Sequence, residues 1–171
     1  ELGSTVGELG RLAGADRARA SAVLIGGYFG GWTTPEEAWD LALDPVGMRV
    51  AGHSLGCGVV SFLPADACGV TATAGIMSYM AGESAAQCGP CVFGLRAIAD
   101  ATERLARGSA EVGDLARIER WSGQLVGRGA CKHPDGAAGL LASALRVFGD
   151  EFVRHGGHRI CSVATLRGVA A

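Results

Sequence analysis

No apolar run in this 171-residue chain approaches the about 20 residues that a membrane-crossing helix requires. The longest candidate, Cys57 to Met80, is broken by Pro64, Asp66 and several glycines, so direct membrane insertion is not expected. A basic block is missing too. Fifteen Lys and Arg stand against 17 Asp and Glu, for a net charge of −2. Nucleic-acid binding leaves a Lys/Arg footprint that neutralises phosphates, and its absence argues against that class of partner. Charged residues make up only 19% of the chain and apolar ones 49%, a balance that folds rather than staying disordered. Six cysteines are too sparse, in a chain this rich in core residues, for a disulfide-stapled secreted scaffold. A reducing cytoplasm is expected, with thiols that are buried apolar residues or metal ligands. No signal peptide is recognised and the chain opens without methionine, so a fragment with a missing upstream part is expected.

What is present changes character near Asp66. Before it, glycines punctuate short apolar runs: "AVLIGGYFGGW" (Ala22 to Trp32), "RVAGHSLGCG" and "VVSFLP". Runs of this length read as short strands. "TVGELGRLAG" reads as a short helix, as does "TPEEAWDLAL", with Thr34 at the N-cap and Pro35 at the first helical position. Residues 1–65 are therefore expected to form a small α/β unit.

After Asp66, itself an expected N-cap, the spacing becomes helical. One segment aligns Thr73, Ile76, Met77 and Met80; a second aligns Leu95, Ile98, Thr102 and Leu105 up to Gly108. A third, expected to start behind Ser109 with Val112 in register, aligns Leu115, Ile118, Ser122 and Leu125. The fourth, "GLLASALRVFGDEFVRH", aligns Leu141, Leu145, Phe148 and Phe152. Four amphipathic segments with short connections predict an up-down four-helix bundle over 66–157, followed by a tail at 158–171.

Two motifs carry potential chemistry. Gly52-His53-Ser54-Leu55-Gly56 fits G-x-S-x-G, the nucleophile turn of a serine esterase, which demands a helix directly behind the serine. Here two more glycines and a β-type run ending at Pro64 follow, so Ser54 reads as part of a glycine turn entering a strand. Cys57 and Cys68 read as core residues, Trp32, Trp39 and Trp121 as core or interface residues, and His155 and His158 as residues of a solvated loop.

The second motif is "ESAAQCGPCVFGL", with Cys88 and Cys91 at a junction between helices. Cys131, in "GRGACKHPDG", lies in the loop that an up-down bundle returns to the same end. Convergent thiolates suit iron–sulfur clusters or zinc; a redox dithiol and buried structural cysteines are the other readings.

At these residues the sequence resembles the C-terminal part of the NADH-binding flavoprotein subunit of respiratory complex I and its relatives in hydrogenases and formate dehydrogenases. In that family a small β-grasp-like SLBB domain leads into a helical bundle holding a [4Fe–4S] cluster. Its cluster motif, E-S-C-G-x-C-x-P-C, is matched here by Glu83, Ser84, Cys88, Pro90 and Cys91, and its later ligand by Cys131. "SALRVFGDEF" is similar to the family's final helix, and "LIGGYFGGW" and "GHSLGCGVVSF" to its SLBB turns and strand. Ala85 stands where the family has its first cysteine, and Ala86 where it has the next glycine.

The resemblance implies an α+β chain that passes electrons from a flavin to another centre, with FMN and NADH bound in an upstream domain. It implies partners among other oxidoreductase domains or subunits, such as a ferredoxin-like carrier, and a cytoplasmic position that partner subunits can hold near a membrane. With three cysteines matched, the cofactor is a [4Fe–4S] cluster with Gln87, His133 or Cys161 as fourth ligand, or a [3Fe–4S] cluster. The alternatives are zinc on Cys88, Cys91, Cys131 and His133, or an assembly domain without metal.

Overall fold

The computed structural model describes residues 3–159. It is an α+β chain of two compact units, the first ending at Ala67 and the second beginning at Cys68.

The first unit starts with helix α1 (Val6–Leu12), whose first turn is closed by a reciprocal capping box. The Thr5 hydroxyl accepts from the Glu8 amide at 3.1 Å, and the Glu8 carboxylate accepts from the Thr5 amide at 2.9 Å. Three strands follow, β1 (Ala20–Ile25), β2 (Gly31–Thr33) and β3 (Val60–Pro64), in an antiparallel sheet of order β2-β1-β3. Val23 stands opposite Thr33 on one side and Phe62 on the other. Ala22 to Ile25 are all buried, so the central strand reads as a continuous apolar run rather than an alternating one. Gly30 closes the β1–β2 turn where a Cβ would collide with the Ile25 carbonyl.

Thr34 caps a single turn, α2 (Pro35–Ala38), as the Thr-Pro pair predicts. A second such signal, Asp44-Pro45, starts helix α3 (Pro45–Val50), with the Asp44 carboxylate accepting from Val46 and Gly47 at 3.0 and 2.7 Å. The sequence reading of Arg49 to Gly58 as a strand is thereby corrected: its first two residues end α3 and the rest form turns. Val6, Val23, Ile25, Ala38 and Met48 make the core of this unit.

The second unit is helical: α4 (Gly69–Gly82), a π-helical turn (Pro90–Leu95) running into α5 (Arg96–Ala106), α6 (Asp114–Leu125), α7 (His133–Val147) and α8 (Gly149–Gly156). Met77, Met80, Leu95, Ile98, Leu105, Ile118, Leu141 and Phe152 are all buried, so the predicted helical faces do point inward.

Three boundaries differ from the sequence expectation. Cys68, not Asp66, caps α4, its thiol accepting from the Thr71 amide at 3.5 Å. The third helix starts at Asp114 behind Gly113, and Val112 is 92% exposed. The fourth segment is two helices, because Phe148 leaves helical geometry with φ −110° and ψ 22°, and α8 starts again at Gly149.

Candidate functional site

The segment between α4 and the π-helical turn carries the CxxC motif. Ala86 sits at φ +51°, a left-handed conformation that disfavours any residue with a Cβ. The Gln87 side-chain amide donates to the Ala85 carbonyl at 3.0 Å. Pro90, without an amide hydrogen, enters the first helical turn, where a donor would be unused anyway. The Cys91 and Val92 amides donate to the Cys88 carbonyl at 3.2 and 3.1 Å. A π-helical turn such as the one that follows is rare and is frequently found at functional sites.

The loop between α6 and α7 brings Cys131 to this junction. The Gly127 amide and the Lys132 ammonium donate to the two oxygens of Asp135 at 2.8 and 2.9 Å, and these bonds hold that carboxyl below its usual pKa. The His133 Nε2 lies 2.7 Å from the Met80 carbonyl, tying the start of α7 to the end of α4. Cys88 and Cys91 stand within hydrogen-bond reach of each other, and Cys91 lies within electrostatic reach of Cys131. The backbone N–H groups of Ala130 and Cys91 donate to the Cys88 thiol and lower its pKa, favouring the thiolate. Burial pushes the Cys91 thiol the other way, reinforced by Cys88 and then Cys131. Cys91 is buried, Cys88 half-buried and Cys131 exposed.

Among the described residues no three Cys, His, Asp or Glu side chains are grouped to hold a single metal ion. The zinc set of Cys88, Cys91, Cys131 and His133 is therefore not assembled. Cys161 lies outside the described residues, as does the rest of the tail from 160 onward.

The serine motif resolves as a turn. Ser54 is exposed, its hydroxyl accepts from the Gly56 amide at 3.2 Å, and β3 rather than a helix follows. Two further expectations are overturned. Cys57 is exposed, with its thiol 3.5 Å from the Gly26 carbonyl. His155 is not in a solvated loop but fully buried in α8, with Nδ1 2.8 Å from the Leu105 carbonyl and Nε2 3.5 Å from the Cys68 thiol. A carbonyl only accepts, so Nδ1 carries the hydrogen. The signal was the continuation of the apolar stripe, since position 155 follows Phe148 and Phe152 at helical spacing. Cys68 is buried as expected.

Residues 71–155, which hold the three thiols, match the family model described as the NADH-ubiquinone oxidoreductase-F iron-sulfur binding region. By this match the chain is similar to that family. An F-type subunit of the NADH-quinone oxidoreductase of Rhizobium meliloti (strain 1021) is 32% identical over 143 residues, 84% of this chain and 34% of that protein. The F-type subunit of the NADH-quinone oxidoreductase of Mycobacterium tuberculosis (strain ATCC 25618 / H37Rv) is 31% identical over 157 residues, 90% of this chain and 35% of its own length. The chain thus spans about a third of the length of these curated relatives. The fold is shared with the crystal structure of an NAD+-reducing [NiFe]-hydrogenase in the H2-reduced state. The TM-score is 0.75 at 21% identity, over 92% of this chain and 26% of that one. The air-oxidized state also gives 0.75, over 96% and 30%.

Proposed function

We propose that this chain is the electron-transfer part of an NADH- and flavin-dependent oxidoreductase. In this reading residues 1–65 are an SLBB-like unit and residues 66–157 a helical iron–sulfur-binding bundle. Cys88, Cys91 and Cys131 hold the cluster. What supports the reading is that Cys91 lies within hydrogen-bond reach of Cys88 and electrostatic reach of Cys131, with two backbone N–H donors at the Cys88 thiol.

The donor set fits the group. Three thiolates suit iron in a cluster, whose several metal atoms spread the ligands wider than one ion does. An iron–sulfur cluster supplies reversible one-electron chemistry. What the chain contributes is ligation, the burial of Cys91, and amide hydrogen bonds at Cys88, the levers that set a cluster's potential. No side chain has to move a proton for this task. FMN and NADH belong to a domain upstream of these residues, and the electron acceptor is another oxidoreductase domain or subunit, of the ferredoxin-like kind. No helix among the described residues is long and apolar enough to cross a membrane.

The test is iron, acid-labile sulfide and zinc content, with a visible spectrum, on protein purified without oxygen. Iron and sulfide with broad visible absorption are expected, and Cys91→Ser is expected to lose both. Zinc alone, or no metal, would instead make the chain a non-catalytic assembly domain, and iron content unchanged in the variant would overturn the assignment.

A further inference from the structure

Among the described residues the cluster site offers three protein thiolates and no fourth, and the geometry points to an iron corner that takes its ligand from solution. This rests on the cluster reading above. The remaining described cysteines are committed elsewhere. Cys57 lies against the Gly26 carbonyl of the first unit, and Cys68 pairs with the buried His155. Of the two non-cysteine side chains adjoining the thiols in sequence, the Gln87 amide is turned back onto the Ala85 carbonyl. The His133 Nε2 is held 2.7 Å from the Met80 carbonyl, a bond that also ties α7 to α4. Recruiting either residue would break a contact that shapes the loop.

The segment preceding Cys88 is open to solvent: Ala85, Ala86 and Gln87 are all exposed. A small ligand can therefore reach the side of the site where these residues stand. Ala85 has no donor atom beyond its backbone. The chemical class that such an iron accepts is a low-molecular-weight thiolate, since sulfur is the softest common donor and matches the three ligands already there.

Two properties follow. The corner iron exchanges its external ligand, and it is the first iron lost on oxidation. The loss balances as [4Fe–4S]2+ going to [3Fe–4S]+ plus Fe2+ plus one electron, and the electron goes to an added ferricyanide oxidant. The Fe2+ leaves to solution and all four sulfides stay.

The experiment uses the full chain, loaded with iron and sulfide under anaerobic conditions. Wild type, Ala85→Cys, Gln87→Ala, His133→Ala and Cys161→Ser are compared. With one equivalent of ferricyanide, wild type is expected to fall to about three irons per four sulfides and to develop the paramagnetic resonance of an oxidised three-iron cluster. Ala85→Cys is expected to keep its iron and stay silent. Adding 2-mercaptoethanol to the dithionite-reduced protein is expected to shift the resonance of wild type and leave that of Ala85→Cys unchanged.

A wild-type cluster that keeps all its iron and ignores the thiol overturns the inference. So does a loss of iron that appears only in Gln87→Ala, His133→Ala or Cys161→Ser, which would identify the fourth ligand within the chain. Failure of every variant to bind iron and sulfide would overturn the cluster reading itself, a result distinct from either of these.

Discussion

Asp114 offers the sharpest test of the helical unit. Its carboxylate is 1% exposed at the start of α6, yet four donors reach it. Arg104 binds both oxygens at 2.9 and 2.8 Å, Arg117 one at 3.1 Å and the Glu111 amide the other at 2.9 Å. These bonds, the Arg104 pair first, hold the carboxyl at about 2, against 3.8 for an ordinary aspartate. At about 1.4 kcal/mol per unit, a drop of that size contributes roughly 2–3 kcal/mol. The sign follows from the depressed value. The contribution is complete above pH 4 or so and is lost as pH falls from about 4 toward 2, where the folded state also takes up the proton.

Asp114→Asn removes the charge and keeps the shape. Breaking a wholly buried pair costs about 3–5 kcal/mol. Here the guanidinium groups are 31% and 39% exposed and can rehydrate, so roughly 2–3 kcal/mol is expected at neutral pH. With a typical urea slope of about 2 kcal/mol per molar, the unfolding midpoint should fall by about 1 M. The difference between wild type and variant should shrink as the titration is carried toward about pH 2.5. Equal midpoints at neutral pH, or a gap indifferent to pH, would refute the claim that this charge joins the end of α5 to the start of α6.

His155 gives a second pH signature with the opposite sign. Its hydrogen bond with the Cys68 thiol, and then that with the Leu105 carbonyl, raise its pKa against the effect of burial. The stabilisation is therefore full below about 6.5 and fades as pH rises through the folded value. His155→Phe should cost about 1–3 kcal/mol by stranding the Leu105 carbonyl, with a larger gap in urea melts at about pH 6 than at about pH 9; a constant gap would contradict this. Ala86→Gly should relieve the left-handed strain at φ +51° and raise stability by roughly 0.5–1 kcal/mol, net of the added freedom of the unfolded chain; a lowered urea midpoint would show that no strain is held there.

Much of the local structure was written in short-range chemistry. Thr34-Pro35 announced α2, and the apolar spacing of Leu95, Ile98, Thr102 and Leu105 announced α5, because caps and helical faces depend on residues only three or four apart. Asp44-Pro45 carried the same signal as Thr34-Pro35, but the glycines behind it drew that stretch toward a strand reading. Ser109 and Asp114 are both competent to begin a helix. At Asp114 the start of the helix is bound by Arg104, ten positions earlier, a partner that local pattern does not show.

The candidate site divides in the same way. Cysteine identity, the CxxC spacing and the family resemblance are properties of the sequence, and they name Cys88, Cys91 and Cys131 without any coordinates. Only the tertiary structure decided that the Ala130 amide reaches the Cys88 thiol, that His133 turns to Met80, and that Cys68 meets His155 across 87 positions. Those contacts depend on how helices far apart in the chain pack. A side chain's partner, and with it its protonation, is set by neighbours that local pattern cannot supply.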